Sequence, residues 1–107
     1  MIYRGTTPTY TLTFEDENLD FGDAHEIILT IADTNDNAIL ELSGNQLDVG
    51  TKTISFSLSQ QQTLAMPKGN LPVQVNWTFL YGSEIKRACS NIVNINFQKN
   101  LHREVMS

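Results

Sequence analysis

Asp33-x-Asn35-x-Asn37 has the spacing that opens a calcium loop. Such a loop needs alternating oxygen ligands, a glycine at its sixth position and a glutamate at its twelfth. Ala38 and Gly44 stand at those places. The stretch is therefore read as a hairpin turn, where Asn and Asp tolerate left-handed backbone and bond locally. The acidic group Glu15, Asp16, Glu17, Asp20 and Asp23 offers carboxylate oxygens to a hard cation. A charge run of this kind reads first as a solvated loop. His25 and His102 lie far apart, each without a Cys or His at ligand spacing, whereas zinc needs three or four ligands. No metal and no cofactor are expected.

Cys89 is the single cysteine. A catalytic thiol needs a base beside it. Cys89 falls in an expected strand between Ala88 and Ser90, and its phase predicts a core thiol. No Gly-x-Ser-x-Gly elbow and no glycine-rich phosphate loop occur, so no catalytic residues are assigned and no enzyme is expected. Asn76-Trp77-Thr78 spells a glycosylation sequon, but it lies mid-strand. The aromatics Tyr10, Phe14, Phe56, Trp77, Phe79 and Phe97 fall on expected core faces, while Tyr3 and Tyr81 read as surface residues.

With 107 residues, 40% of them hydrophobic and 18% charged, the chain reads as one folded domain, 1–107. Its net charge of −5, with seven scattered basic residues, argues against nucleic acid as a partner. One thiol makes no internal disulfide. Met1-Ile2-Tyr3-Arg4-Gly5 has no apolar signal region, and no apolar run reaches the ~20 residues of a membrane helix. Synthesis in a host cytoplasm is expected, with no membrane partner.

The elements that position these residues are short and alternating. Tyr10, Leu12 and Phe14 alternate with threonines. Residues 25–42 read as a hairpin around Asp33–Asn37. Leu47 and Val49 suggest a brief strand, and Ile54, Phe56 and Leu58 a cleaner one. The period then changes: Ser59 and Gln62 make a capping box for a helical turn at 60–66, closed by Pro67 and Gly69. Leu71, Val73, Val75, Trp77, Phe79 and Tyr81 share one face of a long strand. Its partner runs from Ile85 to Phe97, with a bulge near Ser90-Asn91 where the phase breaks. The whole predicts an all-β fold, an antiparallel immunoglobulin-like β-sandwich of about seven strands with one short helical turn. An N-terminal arm, 1–9, and a C-terminal tail, 98–107, flank it.

Four stretches carry a family resemblance: Arg4-Gly5-Thr6-Thr7-Pro8-Thr9, Leu58-Ser59-Gln60-Gln61-Gln62-Thr63-Leu64, Val73-Gln74-Val75-Asn76-Trp77 and Leu101-His102-Arg103-Glu104-Val105. With them the chain resembles small proteins encoded in the tail and baseplate region of phages and prophages of Gram-positive hosts. More loosely, it is similar to the N-terminal domain of upper-baseplate proteins. Gln61-Gln62 stand where relatives often carry Glu. The resemblance implies a non-enzymatic structural or assembly component of a tail or baseplate, placed in the virion tail once assembled. Its partners would be other tail proteins or further copies of itself. The alternative is a binding module for host-surface carbohydrate or protein. Ile2, Tyr3, Leu101 and Val105, apolar residues in the terminal segments, together with Tyr81 at a turn, are the expected partner contacts; the other reading of the terminal residues is that both segments fold back on their own domain.

Overall fold

A computed structural model describes residues 2–14, 21–101 and 106. Among them run nine strands: β1 (Ile2–Tyr3), β2 (Thr9–Thr13), β3 (Ala24–Ala32), β4 (Ala38–Ser43), β5 (Leu47–Val49), β6 (Thr53–Ser57), β7 (Gly69–Tyr81), β8 (Glu84–Cys89) and β9 (Val93–Gln98). One α-helical turn, α1 (Gln60–Ala65), lies between β6 and β7. Short 3₁₀ turns precede β3 and β5.

The strands form two sheets. The larger runs β1-β9-β7-β3-β4, with β8 also on β7; the smaller runs β2-β6-β5. The sandwich is not antiparallel throughout, because β1 pairs β9 in parallel (Ile2 with Phe97, Tyr3 with Gln98). The large sheet is therefore mixed. The core lies between the sheets. Leu29, Ile31, Leu71, Val73, Val75, Ile95 and Phe97 enter it from the large sheet, and Leu12, Leu47, Ile54 and Phe56 from the small one. Period-two alternation on each strand puts these residues on one side of the pleat.

Two contributors have no periodic signal. Phe21, in the 3₁₀ turn before β3, is buried and stacks edge-on against Phe14 and Trp77, with ring centroids 5.2 Å apart in both pairs. Met66 closes the core just after α1. Trp77 itself is half-buried and packs against the core margin.

α1 starts where Ser59 caps it. The Ser59 hydroxyl accepts from the Gln62 N–H at 3.1 Å, and the Gln62 side chain accepts from the Ser59 N–H at 2.8 Å. These bonds satisfy two groups a helix start would otherwise leave open.

Candidate protein interaction surface

β7 is 13 residues long because it serves three neighbours. β3 covers one side from Val73 to Phe79. On the other side β9 pairs Gly69–Val73, and β8 pairs Asn76–Tyr81. The register of β8 differs from that of β9 by one residue, so the chain between them holds a bulge.

Ser90 sits at that bulge. Its N–H donates to the Val75 carbonyl at 2.8 Å, and its hydroxyl, not its carbonyl, accepts from the Val75 N–H at 3.0 Å. The freed Ser90 carbonyl takes the Gln74 side-chain amide at 2.9 Å.

The extra residue inverts the phase. In β9 the odd residues Ile95 and Phe97 face the core. In β8 the odd residues Ile85, Arg87 and Cys89 lie opposite Leu80, Thr78 and Asn76, on the outer face. Cys89 is therefore exposed, not a core thiol. It is Ala88, opposite Trp77, that turns inward.

Leu80 and Tyr81 lie beyond the end of β3 and pair only with β8. The β7–β8 hairpin thus projects past the sheet as a two-stranded ribbon. Gly82 turns it with φ of 64°, while Ser83 keeps negative φ, the combination of a type II′ turn. Leu80 and Ile85 face each other across the ribbon and remain 63% and 62% exposed; Tyr81 at the tip is 73% exposed. On the opposite face of the ribbon, Lys86 Nζ lies 2.9 Å from Glu84. An isolated two-stranded ribbon is marginal in water, and exposed apolar clusters mark contact sites.

The terminal segments behave differently from the hairpin. Ile2, named as a partner contact, is 2% exposed and belongs to the core of its own domain, so this part of the arm folds back on the domain. Arg4 donates from Nη2 to the Leu64 carbonyl at 2.8 Å, and the Gly5 N–H donates to the Thr63 hydroxyl at 2.9 Å. The Thr63 hydroxyl in turn donates to the Thr6 carbonyl at 2.7 Å. The N-terminal arm is therefore bolted to α1. At the other end, Gln60 exchanges two 2.8 Å hydrogen bonds with the Met106 backbone. Tyr3 and Leu101 are exposed, whereas Val105 and His102 lie outside the described residues. Tyr3, Tyr81 and Leu101 are thus surface residues, and only Tyr81 sits on the hairpin.

Among the described residues the chemistry-bearing side chains do not gather. Asp33 Oδ1 accepts from the N–H groups of Asn35 and Asn37, each at 2.9 Å, so this carboxylate closes the β3–β4 turn. Asp36, with φ of 64°, takes the left-handed position there. His25 is exposed at an irregularity of β3. Among the described residues no three His, Cys, Asp or Glu side chains come together. Glu15, Asp16, Glu17 and Asp20 lie outside those residues. Asn76 of the sequon accepts from Arg87 Nη2 at 3.0 Å. Among the described residues no helix is long and apolar enough to cross a membrane.

No family model, curated protein or solved structure matches this chain.

Proposed function

We propose that the chain is a non-enzymatic structural or assembly component of a phage or prophage tail or baseplate, working through protein–protein contacts. The observation that carries this reading is the projecting β7–β8 hairpin with Leu80, Tyr81 and Ile85 in solvent. It gives a packed β-domain a protruding element whose apolar side chains are exposed. The motif resemblance supplies the tail and baseplate context. We also read the architecture as immunoglobulin-like. The orders β9-β7-β3-β4 and β2-β6-β5 follow the G-F-C-C′ and B-E-D sheets of that fold.

The test is complementation of a gene deletion in the lysogen. The wild-type gene restores tailed particles containing the protein. A Leu80→Ser/Ile85→Ser variant, folded by circular dichroism, lowers its incorporation at least tenfold. Full incorporation of that variant contradicts the reading.

Exposed Tyr81, beside Ser83 and Glu84 at the tip, favours one second reading, a binding module for host-surface carbohydrate or protein. Loss of cell binding on Tyr81→Ala, with tail incorporation intact, selects it over the first.

A further inference from the structure

We infer that the β7–β8 hairpin pairs with the same hairpin of a second copy, edge to edge along β8. The inference rests on the hairpin being a contact element and names its partner.

The edge is available. Hydrogen-bonded pairs alternate along an antiparallel ladder. The Ser90–Val75 bond fixes their phase, placing them at Ala88–Trp77, Lys86–Phe79 and Glu84–Tyr81. The backbone groups of Ile85, Arg87 and Cys89 consequently point away from β7, to the side where no strand follows among the described residues. Such an edge takes another strand.

A two-fold axis requires residues with outward-pointing groups to meet their like. Centres at the charged residues of β8 set like charge against like. A centre at Arg87 places the two guanidinium groups opposite each other. A centre at Lys86 does the same with two ammonium groups. A centre at Ile85 sets Ile85 against Ile85 of the second copy, and Glu84 against Lys86 in both directions. Opposite charges facing across strands stabilise pairing and like charges oppose it. Lys86 and Arg87 otherwise blunt this edge against indiscriminate pairing, and Glu84 makes the exception for a second copy.

The apolar face agrees with the same register. Leu80 lies directly opposite Ile85 within each hairpin. Pairing centred on Ile85 therefore makes a row Leu80–Ile85–Ile85–Leu80 across four strands, bringing the exposed aliphatic side chains of both ribbons together on one face. Centring near the tip also leaves the two sandwiches at opposite ends of the joint ribbon, where they do not collide.

A contact this short lies at the weak end of specific interfaces. It is effective where a larger assembly holds the copies close, because tethering raises their effective concentration.

Sedimentation equilibrium on the purified chain, up to ~1 mM, tests the inference. The expected result is a monomer–dimer equilibrium approaching twice the 12.0 kDa of the chain. Ile85→Lys and Glu84→Lys each weaken it at least ~10-fold. Glu84→Lys/Lys86→Glu restores it, because the swapped charges still face their opposites. Circular dichroism checks that each variant is folded. A strict monomer overturns the inference, as does a dimer indifferent to Ile85→Lys. A strict monomer whose incorporation into particles still depends on Leu80 and Ile85 leaves the proposed function standing while self-pairing falls.

Discussion

The Gly5 N–H and the Thr63 hydroxyl meet at 2.9 Å across 58 positions of sequence. Thr63 is fully buried, and its hydroxyl both accepts from Gly5 and donates to the Thr6 carbonyl. The two motifs that most mark the chain, Arg4–Thr9 and Leu58–Leu64, are therefore halves of one clamp. It fixes the entry of the chain to the turn between the two sheets.

Thr63→Val keeps the shape of the side chain and removes both bonds. It is expected to cost about 1–3 kcal/mol, because the Gly5 N–H and Thr6 carbonyl lose their partner. Gly5→Ala costs about 1–2 kcal/mol for its left-handed backbone. Its φ is 83°, and an added Cβ would also sit 3.1 Å from Leu64 Cδ2. Urea unfolding of both single variants and the double variant checks this. The double variant departs from the sum, since Gly5 and Thr63 share a hydrogen bond.

Ser90 replaces a ladder carbonyl with its hydroxyl at the bulge. Ser90→Ala leaves the buried Val75 N–H unpaired and is expected to cost about 1–3 kcal/mol. Faster amide exchange at Val75, measured by NMR on the folded variant, identifies the cause. Unchanged exchange there would contradict the role given to Ser90.

Cys89 faces solvent once the bulge has inverted the phase of β8. The folded protein is expected to react with a chromogenic disulfide reagent at one thiol per chain without denaturant. Protection until unfolding would contradict the register of β8.

Asp33 carries a pH dependence. Hydrogen bonds from Asn37 and Asn35 lower its pKa from the ordinary 3.8, led by the Asn37 backbone and opposed in part by desolvation. A carboxyl with a lowered folded pKa adds stability above its unfolded pKa, and that stability is lost as pH falls through the folded value. Asp33→Asn is therefore expected to lower the melting temperature slightly at pH 7. The gap to wild type closes below the usual carboxylate range. A gap that persists or widens in acid would contradict this.

The strands were legible where packing enforces strict alternation, as at Ile54 and Phe56 or Leu71, Val73 and Val75. The start of α1 was legible because Ser59 and Gln62 bond locally. What escaped depends on contacts distant in sequence. Thr63 looks like any polar helical residue until the N-terminal arm arrives. Phe21 follows an acidic stretch and has no periodic neighbours. The bulge was readable near Ser90-Asn91, but its consequence for Cys89 was not, because one residue of register decides which face a strand presents. Tyr81 was legible as a surface residue from its turn. Leu80 and Ile85 were not, because nothing in sequence tells where β3 stops covering β7.

Mass spectrometry of particles purified after induction of the host's prophage tests the central claim most directly. The account predicts peptides of this chain at a fixed ratio to the tail proteins, with cross-links that include Lys86 on the β7–β8 hairpin. A protein abundant in the lysate but missing from purified particles would contradict it.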